Sequence, residues 1–283
     1  MRQLTILLLI LTSCAQERPE RRAPQEPAAS VQHGPLVRAG TSPLLHPIRV
    51  PVADNPGPHE DIVINTDDQL KLRGWIWKAP PGQERGWVVY VHDINRNRNE
   101  GIPAASALVS LGYDVLAYDQ RAHGASEGAI STWGQKEFDD LHEALEQYTR
   151  GQVFLVGEGM GVMPVLREAK VHKRVKGVVL VAPYAEMQTA ISGHQEEVQN
   201  FEQQSGVRVS ELSPEAAARN IFIPVLILRG KADAPSAISD SERVHKAFHK
   251  GADVKELDGE SGSLLGETDT WSVIGSWIQG HTI

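Results

Sequence analysis

From about residue 60 onward, hydrophobic and polar positions alternate with two different periods. Ile62, Val63 and Ile64, and then Leu70, Leu72 and Ile76, flank the polar turn Thr66-Asp67-Asp68 and predict a β-hairpin. Residues 87–91 form an unbroken apolar run, as expected for a strand covered on both faces. A helix is predicted over 102–111, stopped by Gly112, followed by a strand over 113–118. Phe138, Leu141, Leu145 and Tyr148 recur at helical spacing and predict a helix over 135–149. The run from 152 to 156 reads as a buried strand. It breaks at Gly157-Glu158-Gly159-Met160-Gly161 and passes into a helix over 162–170. Strands near 177–181, 224–228 and 254–257 and helices near 239–249 and 270–278 complete the pattern, with an irregular polar section at 185–220. Strands alternating with helices place the chain in the α/β class, with a mostly parallel sheet covered on both faces.

The first 58 residues follow neither period. Arg2 precedes an apolar run over 4–11 that is too short to cross a bilayer and fits the core of a signal peptide. The run ends in Leu11-Thr12-Ser13-Cys14, which resembles the lipobox of bacterial lipoproteins. The resemblance implies cleavage before Cys14, diacyl attachment at its thiol, and a firm membrane anchor. Ala15 after the cysteine implies the outer membrane in a Gram-negative envelope. Nine of the seventeen prolines lie between 15 and 58, which predicts an extended, semi-rigid tether. The expected organisation is a signal peptide at 1–13, a lipidated tether at 14–58 and one domain at 59–283, with a cap insertion at about 185–220.

Composition narrows the partners. A formal net charge of -8 offers no broad basic face for phosphates, which excludes nucleic acid as the expected partner. Cys14 is the single cysteine, so the domain holds no disulfide. Gly157-x-Gly159-x-Gly161 lacks the spacing of a dinucleotide loop, and the next strand ends without an acidic residue. His92 and Asp93 have no third metal ligand placed beside them, so neither a cofactor nor a metal is expected.

Two segments carry chemistry. A strand, a glycine-flanked turn and a helix at 152–164 have the build of a nucleophile elbow, whose reactive side chain sits between the outer glycines. That position is Gly159. Asp119-Gln120-Arg121-Ala122-His123-Gly124-Ala125-Ser126-Glu127-Gly128 follows a strand and is similar to the D-x-R-G-H-G-x-S-x-G loop of α/β-hydrolase-fold proteins, in the serine aminopeptidase and monoacylglycerol-lipase-like branch. Only Ala122 departs from it. The resemblance spans roughly residues 60–280 and implies an α/β-hydrolase fold with Ser, Asp and His in chain order. It places the acid at Asp233, the histidine at Gly262, and the oxyanion-hole amides at Ile94 and Met160. His123 is expected to hydrogen-bond within its own loop.

Two of the three triad positions therefore lack side chains, and Asp233 is a residual acid with nothing to orient. The expected function is a membrane-anchored, non-catalytic domain that binds a small molecule or protein at the old site, whose pocket the glycines would enlarge. Glu158 is expected to be solvated or packed on the sheet. The alternative is a serine hydrolase of esters, lipids or peptides using displaced residues such as Ser126, Ser261 or Ser263.

Overall fold

The computed structural model describes residues 44–191 and 195–282. The expected signal peptide, Cys14 and the expected tether up to residue 43 lie outside the described residues. Eight strands form one sheet: β1 (Glu60–Asn65), β2 (Lys71–Trp77), β3 (Gly86–Val91), β4 (Tyr113–Tyr118), β5 (Val153–Glu158), β6 (Val175–Val181), β7 (Val225–Gly230) and β8 (Asp253–Leu257). Their spatial order is β1-β2-β4-β3-β5-β6-β7-β8. The β1–β2 and β2–β4 pairs are antiparallel, and every later pair is parallel. This is the α/β-hydrolase arrangement.

Alternation along the central strands builds two cores. Val89, Val91, Leu155 and Leu180 face one layer, which holds α2 (Lys136–Tyr148), α3 (Val162–Val171) and α7 (Pro235–Ala247). Val88, Tyr90, Phe154 and Val156 face the other, which holds α1 (Gly101–Leu108) and α9 (Thr268–His281), where Trp271 is fully buried. Gly112 closes the turn after α1 with a left-handed φ of 92°. Among the described residues no helix is long and apolar enough to cross a membrane.

Two expectations need correction. The section at 185–220 is helical rather than irregular, with α4 (Met187–Ala190), α5 (Gln195–Ser205) and α6 (Pro214–Ala218). Phe201 is the buried residue of the otherwise polar α5. It joins Met187, Val207, Val209 and Leu212 in a third cluster, a cap seated on Ile94, Trp133 and Met160.

The described part of the expected tether is docked. Leu44 and Leu45 are fully buried in the cap cluster, and burying a leucine contributes about 1.5–3 kcal/mol. Trp133 Nε1 donates to the Leu44 carbonyl at 2.8 Å, and the Ser131 amide donates to that of Leu45 at 2.8 Å. Arg49 donates to the carbonyls of His123, Gly124, Ser126 and Gly128 at 2.6–3.3 Å. Residues 44–58 thus strap the lips of the sheet, and the folded unit begins before residue 59. α8 (Ser261–Leu264) lies just past β8.

Candidate functional site

The turn between β5 and α3 is tight because its backbone runs against the end of β3. A Cβ on Gly161 would stand 2.2 Å from the Val91 carbonyl oxygen, and one on Gly157 would stand 2.6 Å from that of Gly161. Gly159, between them, has a φ of +49°, in the left-handed region that L side chains rarely adopt. The backbone keeps the shape of a nucleophile elbow although its central residue has no side chain.

The space beside Gly159 is not empty. A Cβ there would meet Asp93 Cγ and Oδ1 at 2.2 Å. Asp93 is buried, and its Oδ1 accepts from the amides of Ile94 at 2.7 Å and Met160 at 2.8 Å. Those two amides are the ones expected to form an oxyanion hole. The expectation that glycine enlarges the pocket fails here, because the Asp93 carboxylate fills the space and takes both donors. Tyr184 lies above, edge-on to Trp133. Its buried hydroxyl has no hydrogen-bond partner among the described residues, and burial followed by the nearby Asp93 charge holds its pKa up.

Behind the turn, Glu158 is buried on the last position of β5, rather than solvated. It accepts from the Tyr90 hydroxyl at 2.7 Å, and Arg96 Nη2 lies 3.8 Å from its other oxygen. Arg96 also donates to Glu100 at 2.9 Å and to the Gly262 carbonyl. Burial, opposed by Arg96 and reinforced by Asp93 and Glu100, pushes Glu158 up to about 8. Burial likewise raises Glu100. The guanidinium thus links the elbow strand to the segment where the triad histidine was expected.

Asp233 is not idle. It accepts from the Gly230 amide at 3.0 Å and from the Ser261 amide at 2.6 Å, and the Ser261 hydroxyl donates to it at 2.5 Å. Ser261 Oγ in turn accepts from the Gly230 amide at 2.8 Å. The acid therefore ties the loop after β7 to the start of α8, a role assigned above to no residue. Ser263 bonds within its own turn, to the Glu260 carbonyl.

The loop at 119–128 is a braced corner. Asp119 accepts from the Arg98 amide and guanidinium, both at 2.9 Å, and from the Ala125 amide at 2.7 Å. Gly124 has a φ of +46°, and a Cβ there would stand 2.3 Å from the Asp119 carboxylate. Ala122, where the loop motif has glycine, also takes a left-handed φ of 64°. Arg121 pairs with Asp140 at 2.6 and 2.7 Å and with Asp68 at 2.9 Å. Ser126 Oγ donates to the Asp119 carbonyl at 2.6 Å and accepts from the Arg73 amide at 2.8 Å, so it is committed to the frame. Gly128 closes the loop beside Arg121 and Ala122. His123 Nδ1 sits 2.9 Å from the Arg121 carbonyl, while its buried Nε2 has no partner among the described residues. His92 uses both nitrogens, facing the Asp93 carbonyl and accepting from the Gln120 amide.

Residues missed by sequence reasoning are Tyr90, Arg96 and Glu100. Asp93 carried a signal only as a carboxylate next to His92, directly after β3. Arg96 and Glu100 carry only helical (i, i+4) spacing.

Residues 82–212 match the family model of serine aminopeptidases, S33. The match ends before Asp233 and Gly262. The chain is 28% identical over 190 residues to the uncharacterized protein YqkD of Bacillus subtilis, covering 60% of this chain and 62% of that protein. It is 29% identical over 136 residues to the polyketide transferase grgF of Penicillium, covering 44% and 45%. The chain thus spans less than two thirds of the length of these curated relatives. Among solved structures, the Pyrococcus furiosus esterase Pf2001 superimposes with a TM-score of 0.66 at 20% identity, covering 84% of this chain and 100% of the esterase. The chain has the α/β-hydrolase fold.

The contact between Gly159 and Asp93 has a measurable consequence. G159S alone is expected to lower stability by about 1–3 kcal/mol, from left-handed strain and collision with the carboxylate. In D93G the same change should cost less, so a denaturation double-mutant cycle gives a coupling term, and strict additivity would refute the contact. Glu158 sets a pH dependence. Its folded pKa, about 8, lies above the ordinary 4.5, so the folded state holds the extra proton between those values. The contribution is fully present below about pH 4.5 and is lost as pH rises through 8. E158Q should flatten the fall in melting temperature between pH 5 and 9, and parallel wild-type and E158Q profiles would count against it.

Proposed function

We propose that this α/β-hydrolase-fold chain is a lipid-anchored, catalytically silent domain that binds a small molecule or protein at its former active site. The observation that carries this reading is the Asp93 carboxylate seated on the Ile94 and Met160 amides, in the space of an elbow side chain. An oxyanion hole accelerates acyl transfer only when its donors are free for charge that develops in the transition state. Here the Asp93 side chain already holds them. Position 159 offers no hydroxyl and position 262 no imidazole. Losing the serine or histidine alone costs a triad enzyme on the order of 10⁶-fold in rate. Binding is favoured over a bare spacer by the Tyr184 hydroxyl and His123 Nε2, two buried polar groups with no hydrogen-bond partner among the described residues.

The competing reading is a hydrolase of esters, lipids or peptides working through a displaced serine, and Ser261 is its best candidate because it contacts Asp233 directly. Ser261 is buried, however, and its hydroxyl is held between a carboxylate and the Gly230 amide with no imidazole to take its proton. A fluorophosphonate probe separates the two readings. With the full chain in detergent, intact mass should show no adduct beside a labelled active hydrolase. A stoichiometric adduct mapped to one serine would make the chain an enzyme.

Lipid attachment at Cys14 would hold the domain at the bacterial cell envelope, on the outer membrane in a Gram-negative cell. Its support is the Leu11-Thr12-Ser13-Cys14 order after a short apolar run. Metabolic labelling with an alkyne fatty acid should mark the wild-type chain in the membrane fraction, and C14S should abolish the label. Label retained in C14S would sink the anchor.

A further inference from the structure

On the face of α2 and α3 away from the site, three potential metal ligands converge: His142, Glu168 and His172. Each helix supplies part of the set. His142 and Glu146 are one turn apart on α2, while Glu168 and His172 are one turn apart at the end of α3. His142 Nδ1 lies 3.0 Å from Glu168 Oε1, and His172 Nε2 lies 3.9 Å from the same oxygen. The candidate ligand atoms all lie within 4.8 Å of one another. Two ligands about 2.1 Å from a tetrahedral ion stand roughly 3.4 Å apart, midway between those separations. Small side-chain shifts would therefore admit an ion.

The carboxylate adds an independent pointer. Glu168 is fully buried, and its Oε2 has no hydrogen-bond partner among the described residues. A buried carboxylate with one oxygen unsatisfied is costly unless a proton or a cation meets it. His142, by contrast, is half-exposed, which leaves an entry path for an ion.

We propose that His142, Glu168 and His172 form a site for a divalent transition cation of the zinc class, which clips α2 to the helix that starts at the elbow turn. Imidazole nitrogen and carboxylate oxygen are suitable donors for such an ion, and three protein ligands leave a fourth position for Glu146 or water. Arg174 is the competitor. Its Nη2 lies 2.8 Å from Glu146 Oε1 and 3.4 Å from His172 Nε2, so the ion has to displace the guanidinium from this corner. The ion also needs the His172 proton on Nδ1, which faces the Arg174 amide at 3.3 Å. Both features weaken the site relative to a dedicated structural zinc site.

The test is a titration of the chelator-stripped full chain with Zn²⁺ alone, read by calorimetry, and with Co²⁺ alone, read by its visible absorption. One saturable ion per chain, tetrahedral Co²⁺ bands and a raised melting temperature are expected. H142A should weaken binding by at least ~10-fold, and R174A should tighten it. The half-exposed position makes H142A the decisive variant, because changes at buried Glu168 or His172 could unfold the chain. No saturable binding, or binding of equal strength in H142A, would overturn the site.

Discussion

Two backbone amides, from Ile94 and Met160, converge on one point, and the Asp93 side-chain oxygen of the same protein stands there. Paired N–H donors at a strand-to-helix turn attract negative charge because their dipoles point at a common centre and no water competes for them. Once such a centre is built and buried, it has to be satisfied. A substrate, a water or a side chain can do that, and Asp93 is adjacent to one donor and opposite the other. The absence of a Cβ at Gly159 is what makes room for it. The glycine and the aspartate are thus one feature: either residue alone would leave a collision or a vacant pair of donors.

The second layer is a charge problem. Asp93, Glu100 and Glu158 lie close together with Arg96 as the guanidinium among them. Removing one partner of a buried ion pair typically costs about 3–5 kcal/mol, because the other charge is left stranded. The protein limits that cost by letting burial keep Glu158 protonated up to about pH 8 and by giving one of its oxygens the Tyr90 hydroxyl. Arg96 then has Glu100 as its close charged partner and the Gly262 carbonyl as a neutral one. In a triad enzyme the residue at position 262 would reach toward the elbow. Here its backbone is bound by an arginine that arrives from the β3 side.

The strands were legible because a central parallel strand has to be apolar on both faces, and 87–91 and 152–156 can be little else. The elbow and the 119–128 loop were legible because glycines at fixed spacing answer to backbone geometry, which sequence records directly. What sequence did not record was determined by distant partners. Leu44 and Leu45 sit among prolines, and only Trp133 and Ser131, nearly ninety positions away, turn that stretch into core. α5 presents one fully buried side chain, Phe201, so its periodicity is too thin to read. Asp93 was visible as an acid beside His92, but the return of its carboxylate to the amide of its own neighbour depends on where Met160 is placed. Asp233 was read as an orphan because its partner was assumed to be an imidazole at position 262, whereas the preceding residue, Ser261, took the bond.

The left-handed φ at Gly159 shows which constraint holds without a side chain. At a nucleophile elbow that conformation presents a reactive side chain, and here it persists at a glycine. Its cause is packing: Gly161 lies against the Val91 carbonyl and Gly157 against Gly161, so the chain can leave β5 and enter α3 only through a turn this tight. The same turn aims the Met160 amide at Asp93 and lodges the Met160 side chain under the cap. The strap at Leu44 and Leu45 packs into that same cap cluster. Strap, cap and turn therefore share one cluster of contacts, so a displacement of the cap bears directly on the turn that carries the Met160 amide.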